Sequence, residues 1–283
     1  MRISGAAQVA GVVGRPIAGS LSPLLHNAWI EAAGLDAAYV PFALSEGGFE
    51  AFVESLRDGG VRGLNVTTPF KARALACADV ADSAARAAGA ANLLIYRKDD
   101  VLEARNTDGL GLLEALTRQA PALRLTGSRV VLFGAGGAAR AAAVTLVEAR
   151  VAELVVVNRS FGRAETLAAS LGGVASARRW ENLEEVLPAA DLVINATSAE
   201  LGGGAPLQMD WASARAGAVA MDMVYRPLET VFLAGARAQG LTGVDGLEML
   251  IGQARPSFEA FFGLPAPEAV DVRALALQAL ASG

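Results

Sequence analysis

Between Arg129 and Arg140 the chain reads Arg-Val-Val-Leu-Phe-Gly-Ala-Gly-Gly-Ala-Ala-Arg, and this stretch restricts the possible folds more than any other. Four apolar residues, two of them β-branched, run into glycines and then into an alanine-rich segment, the order of a strand, a tight turn and a helix. Gly134 suits the sharp turn, and Gly136 leaves room for an anion to approach the backbone. A helix starting near Gly137 aims unpaired N–H groups and its positive end at that anion. With Ala135 and Ala138 these residues form Gly-x-Gly-Gly-x-Ala, a variant of the dinucleotide-binding fingerprint. A tight strand-to-helix connection with no ligand would use the same glycines.

The following strand, Glu153 to Val157, ends in Asn158-Arg159-Ser160, with Arg163 just beyond. A dinucleotide fold contacts the adenosine ribose at this distance, and a cofactor without a 2′-phosphate usually meets an acid there. Two guanidiniums and a hydroxyl suit a 2′-phosphate instead, because Arg offers planar, charge-assisted donors to a dianion. The cofactor expected from these residues is NADP. The bland reading is that Arg159 and Arg163 are solvated charges opening a helix.

Composition narrows the class. The 283 residues are 53% hydrophobic and only 19% charged, which fits a globular chain long enough for two domains. A formal charge of -5 gives no general attraction to nucleic acid or to an anionic membrane. Charged or polar residues interrupt every apolar run before the roughly 20 residues of a membrane span. Met1 to Gly14 lacks the basic start and apolar core of a signal peptide, so a soluble, cytoplasmic protein is expected. The single Cys77 excludes an intrachain disulfide and a thiolate metal cluster, and reads as a small buried helix residue. His26 is the only histidine, so acid–base chemistry falls to Lys, Asp, Glu or Tyr, and no metal site is expected.

Taken in order, the first hundred residues alternate strand-like segments (Gln8 to Val13, Ala37 to Leu44, Gly63 to Thr67) with helix-like ones (Pro23 to Ala33, Phe49 to Asp58). This predicts a mostly parallel α/β sheet, extended by a hairpin of Asn92 to Tyr96 and Val101 to Arg105. A helix from Asp108 to Gln119 leads to the glycine turn. Later strands at Asp191 to Asn195, Ala218 to Met223 and Thr242 to Val244 predict a smaller doubly wound sheet. Two helices close the chain, Leu247 to Phe262 and Pro267 to Leu280. The predicted domains are 1–106 with 246–283 for substrate and catalysis, and 107–245 as a Rossmann-type NADP-binding domain, with the C-terminal helices returning to the first.

Three segments carry more polar groups than a core needs. In Gly19-Ser20-Leu21-Ser22-Pro23, Ser22 reads as the N-cap before Pro23, while Ser20 is not needed for that job; paired hydroxyls can bind a carboxylate. In Asn65-Val66-Thr67-Thr68-Pro69-Phe70-Lys71, a strand runs into polar residues and places Thr67 and Lys71 past its carboxyl end, where ligands of α/β sheets bind. Lys71 read alone is equally a surface lysine. In Arg105-Asn106-Thr107-Asp108-Gly109, Asp108 opens a helix and is a suitable N-cap.

Ser-x-Ser-Pro, Asn-Val-Thr-x-Pro-x-Lys, Gly-Ala-x-Asn, Asn-Thr-Asp-Gly, Gly-Ala-Gly-Gly-Ala-Ala-Arg and Asn-Arg-Ser-x-x-Arg together resemble the shikimate dehydrogenase family, in the family's order. Asn195 to Ser198, Asp222 to Tyr225 and Gly246 to Gln253 extend the resemblance over nearly the whole chain. It implies reversible NADPH-dependent reduction of 3-dehydroshikimate to shikimate, in aromatic amino acid biosynthesis. It further implies Lys71 and Asp108 as the catalytic pair and Ser20, Ser22, Thr67, Asn92, Tyr225 and Gln253 as substrate contacts. Cofactor positions would be Gly134, Ala135, Gly136, Gly137, Ala138, Asn158, Arg159, Ser160, Arg163, Thr197, Met223 and Gly246.

Physically, hydride transfer to a ketone builds negative charge on oxygen, and a lysine beside it donates a proton while a neighbouring carboxylate orients it. The substrate carboxylate is expected to meet hydroxyls, not an arginine. The expected site lies in a cleft between the two domains, with closure excluding water. The chain departs from the family pattern at Gly19, at Leu93 and Leu94 after Asn92, at Ala199-Glu200-Leu201 near the expected nicotinamide, and at Phe261 and Phe262. Alternatives are a quinate/shikimate or aminoshikimate dehydrogenase on the same scaffold, or a non-catalytic regulator binding nucleotide and a cyclic acid. The expected partner is a small cyclic hydroxy acid, with no nucleic acid or membrane partner, in a monomer or homodimer.

Overall fold

The computed structural model describes residues 3–197 and 205–282. They divide into two compact units, Met1–Asp108 with Leu250–Gly283, and Gly109–Met249. No described helix is long and apolar enough to cross a membrane.

The first unit runs β1 (Gln8–Gly14), α1 (Ser22–Ala32), β2 (Ala37–Ala43), α2 (Phe49–Ser55), β3 (Val61–Val66), α3 (Lys71–Cys77), β4 (Val80–Ala81), α4 (Ser83–Ala88), β5 (Leu93–Tyr96) and β6 (Leu102–Arg105). Its sheet has the order β2-β1-β3-β5-β6-β4. β1 is parallel to β2 and β3, whereas β5 runs antiparallel both to β3 and to its hairpin partner β6. Five consecutive buried residues end β1, as a central strand covered on both faces requires. On one face Phe49 stacks on Phe70, ring centres 4.7 Å apart, among Val13, Val66 and Leu94.

α1 corrects one expectation. Its cap position is Leu21, with no side-chain cap, and Ser22 lies inside the helix. The Ser22 N–H instead donates to Ser20 Oγ at 3.3 Å, so Ser20 does the local tying that had been assigned to Ser22. Cys77 ends α3 and is only half-buried.

The chain continues through α5 (Asp108–Gln119), β7 (Arg129–Phe133), α6 (Gly137–Glu148), β8 (Glu153–Val157), α7 (Phe161–Ser170), β9 (Ala175–Arg178), α8 (Leu183–Val186), β10 (Leu192–Asn195), β11 (Val219–Asp222), α9 (Val231–Ala238), β12 (Thr242–Val244), α10 (Gly246–Phe262) and α11 (Val272–Ala281). The second sheet, β12-β11-β10-β7-β8-β9, is parallel throughout. Its order reverses at β7, so the end of β7 is the topological switch point where ligands of such sheets bind. It was expected to be the smaller sheet, but each sheet has six strands, because β9 adds an edge. One face packs Val130, Leu132, Leu154 and Val156 under Ala139, Ala142 and Ala143 of α6. The alanines allow the helix axis to approach closely, and each buried larger residue contributes about 1.5–3 kcal/mol.

Candidate active site

Lys71 is the first residue of α3. The segment leading to it is fixed at both ends: the Thr67 N–H donates to Val13 O at the end of β1, the Phe70 N–H donates to Thr67 O, and the Phe70 ring is buried. Lys71 Nζ lies 2.6 Å from Asp108 Oδ2, with 20% of the lysine side chain exposed and 3% of the aspartate. One ammonium hydrogen is thus committed to the carboxylate and two remain.

Asp108 is held from behind. Its N–H donates to Asn106 Oδ1, and Asn106 Nδ2 donates to Ala90 O. Its Oδ1 accepts from Asn92 Nδ2 at 2.9 Å, an amide that also approaches Thr107 Oγ1 and Gln253 Oε1 at 3.0 Å. Because a carboxylate only accepts, the nitrogen of Asn92 must face it, and Asn92 Oδ1 is left to accept from the Thr107 N–H at 2.8 Å. The carboxylate therefore serves Lys71 and Asn92, the latter set just before β5. A second chain of bonds runs from Tyr39 OH to Asn65 Oδ1 at 2.7 Å, then from Asn65 Nδ2 to Ser257 Oγ at 2.9 Å. Ser257 Oγ donates to Gln253 O. The structure thus brings Lys71, Asn92, Asp108 and Gln253 into one network, with Thr67 one turn ahead of Lys71.

Tyr225 lies in the second unit, after β11. The other positions of that unit gather at the carboxyl ends of its strands. Gly134 follows β7 with a φ of 115°, its N–H donates to Val157 O, and a Cβ there would come 2.9 Å from Ala196 O. Only glycine fits this turn. Gly136 precedes α6 in open space, and no side chain caps the first turn, so backbone N–H groups of Gly137 and Ala138 are available to an anion. Ala135 completes the turn.

At the end of β8, Asn158 Nδ2 donates to Ser160 O, and Ser160 caps α7 without a side-chain bond. Arg159 and Arg163 are exposed and have no carboxylate partner among the described residues. Thr197 follows β10, its N–H and hydroxyl both bonded to Asn195 Oδ1. Met223 follows β11 and donates its N–H to Asn195 O. Gly246 opens α10 so close to that strand end that a Cβ would meet Met223 O at 2.5 Å. Ser198 and the Ala199-Glu200-Leu201 departure lie outside the described residues. Among the described residues no group of three or more His, Cys, Asp or Glu side chains is placed to hold a metal ion.

The sequence matches family models for the shikimate dehydrogenase substrate binding domain over residues 12–94, for shikimate / quinate 5-dehydrogenase over 115–202, and for the shikimate 5'-dehydrogenase C-terminal domain over 246–276. It is 54% identical over 278 residues to the shikimate dehydrogenase (NADP(+)) of Caulobacter vibrioides, covering 98% of both chains. The chain belongs to the shikimate dehydrogenase family. Among solved structures, shikimate 5-dehydrogenase from Thermus thermophilus in complex with NADP(H) and shikimate aligns with a TM-score of 0.83 at 35% identity, covering 96% of this chain and 99% of that one. Quinate dehydrogenase from Corynebacterium glutamicum in complex with NAD aligns with a TM-score of 0.87 at 28% identity, covering 96% and 99%.

For a shikimate dehydrogenase, the residues that hold the named positions are as informative as those positions. Tyr39 and Ser257 lie in none of the motifs, and Asp222 opens the Asp222 to Tyr225 motif without a role of its own there. Asp222 is buried, accepts from the Val224 N–H, Thr230 Oγ1 and Asn195 Nδ2, and has its carboxyl raised above the usual range by burial. It braces the ends of β10 and β11 that carry Thr197 and Met223. The sequence marks Asp222 only as the first residue of the Asp222 to Tyr225 motif, and its bonds to Asn195 and Thr230 are made by folding. Tyr39 has no such mark, because tyrosine is an ordinary strand residue.

Proposed function

We propose that this chain catalyses the reversible, NADP-dependent reduction of 3-dehydroshikimate to shikimate, with residues 1–106 and 246–283 binding substrate and 107–245 binding NADP. The observation that carries the reading is the Lys71–Asp108 pair at 2.6 Å, one partner buried and the other partly open. The second unit fits the cofactor: a glycine turn that a side chain would block, an uncapped helix start, and Arg159 and Arg163 with no carboxylate partner among the described residues suit a pyrophosphate and a 2′-phosphate. NADP supplies or accepts the hydride when bound.

In this reading Ser20 and Ser22 donate their hydroxyls to the substrate carboxylate, and Thr67, Asn92, Gln253 and Tyr225 contact the ring substituents. As hydride reaches the ketone carbon, the C=O π pair moves to oxygen, and the Lys71 ammonium delivers a proton to it. In the reverse direction the Lys71 amine takes the hydroxyl proton. Asp108 keeps the ammonium aimed and balances its charge, and Asn92 fixes Asp108 in turn. Gly134 to Ala138, Asn158 to Arg163, Thr197, Met223 and Gly246 hold NADP. The reading includes a cytoplasmic setting, which fits the single cysteine, with the enzyme acting as a monomer or homodimer.

The test is the rate of reduced-nicotinamide formation by purified protein with shikimate and quinate, each against NADP and NAD. Fast turnover confined to shikimate with NADP supports the proposal. Comparable turnover of quinate would favour the second reading, a quinate/shikimate dehydrogenase, which the likeness to the Corynebacterium enzyme supports. No turnover with any pair would sink both.

A further inference from the structure

Several arginines of this chain meet a carboxylate: Arg57 pairs with Asp79, Arg73 with Glu50, Arg215 with Asp191 and Arg237 with Glu229. Arg159 and Arg163, at the start of α7, meet none among the described residues. A third guanidinium belongs to the same corner. β8 and β9 pair in parallel with Val157 opposite Arg178, so Asn158 and Arg179 are the next residues to leave the two neighbouring strand ends. The Arg179 guanidinium carbon sits 4.2 Å from the centre of the Phe161 ring, and Phe161 stands between Arg159 and Arg163 as the first residue of α7. Cation–π attraction thus holds Arg179 against the helix start that carries Arg159 and Arg163, again with no carboxylate partner among the described residues. Three guanidiniums at one end of the sheet with no carboxylate partner among the described residues repel one another, an arrangement that a bound dianion relieves.

We propose that Arg179 is a specificity-determining residue that binds the 2′-phosphate of NADP from the end of β9, completing the corner formed by Arg159 and Arg163. The inference rests on the reading of that corner as the adenosine subsite. Phe161 acts through Arg179 as a positioning residue, since its ring lies under the guanidinium and holds that end of the long side chain at the start of α7.

The experiment compares kcat/KM for NADP and for NAD at saturating shikimate in Arg179→Ala, Arg179→Lys and Arg159→Ala. Binding of two probes, adenosine 2′,5′-bisphosphate and 5′-AMP, is measured on the same proteins. Arg179→Ala is expected to lower kcat/KM for NADP about tenfold through KM, the effect of one charge-assisted contact. It should leave kcat and the NAD values unchanged and lower the preference for the bisphosphate over 5′-AMP by the same factor, and Arg179→Lys should recover part of it. A preference untouched in Arg179→Ala but reduced in Arg159→Ala overturns this inference and leaves the corner reading standing. A preference untouched in both overturns the two together. Equal losses with both cofactors would mean that Arg179 only packs on α7, and this also overturns the proposal.

Discussion

In the proposed mechanism Lys71 and Asp108 carry the chemistry through one short contact, and the bonds that Asn92 donates to the Asp108 carboxylate and that the Asp108 N–H donates to Asn106 keep that contact in place. Lys71→Ala is expected to lower kcat about 10²–10⁴-fold with an unchanged circular dichroism spectrum. A normal turnover number in this variant would remove Lys71 from the proton transfer. Ser20→Ala and Ser22→Ala are each expected to raise the shikimate KM several-fold with little effect on kcat, and steady-state kinetics on both variants checks this. As the only histidine, His26 is given no acid–base role by the sequence, and its surroundings in the fold agree with that. The ring is buried, stacked on Tyr39 at 4.0 Å, and set against Trp29, Phe258 and Phe261. Burial lowers its pKa from 6.5 to about 3. The folded value is depressed, so the corresponding stability is fully present above pH 6.5 and is lost as pH falls towards 3. At about 1.4 kcal/mol per pH unit, the loss reaches about 5 kcal/mol. His26→Phe should flatten that part of the stability–pH curve in urea titrations, and an unchanged curve would contradict the linkage. Nothing in the sequence distinguishes a histidine inside an aromatic cluster from one in a site, because Tyr39 and Phe258 are brought to it only by folding.

Among the elements, β7, its turn and α6 were legible because each residue type has a single use there. The apolar strand needs two covered faces, Gly134 needs a left-handed φ, and the alanines need a close neighbour. Gly134→Ala is expected to destabilise the chain by about 1–3 kcal/mol, because the added Cβ would also press on Ala196 O. It should raise the NADP KM as the turn shifts, and urea unfolding together with cofactor titration checks both effects. Elements that went unread lacked such signals. Ala175–Arg178 is half-buried at every position, with no alternation to mark it as a strand, and β4 has two residues. α3 and α4 are short alanine-rich stretches with little periodicity to count. Missing β9 hid Arg179, since only the pairing of β8 with β9 brings its strand end next to that of Asn158.

For the whole molecule, the decisive fact is that one unit is continuous in sequence and the other is not. Residues 107–249 contain both cores of the parallel sheet, and this fragment is expected to unfold cooperatively and to be stabilised by NADP, by about 2.7 kcal/mol at a hundredfold excess over Kd. Calorimetry with and without NADP tests this. Residues 1–106 lack Phe258 and Phe261, which cover Trp29, His26 and Tyr39, and are expected to give no cooperative transition alone. The same division sets an order in time as the ribosome makes the protein. The sheet of the first unit emerges first, but its aromatic face stays uncovered until α10 arrives roughly 150 residues later, about 8–30 s at usual rates of synthesis. The second unit, made later, has all its strands in hand before then and closes first. During that interval the nascent chain presents a half-built sheet to the cell, so its soluble yield is expected to rise when chaperones that shield such surfaces are co-expressed.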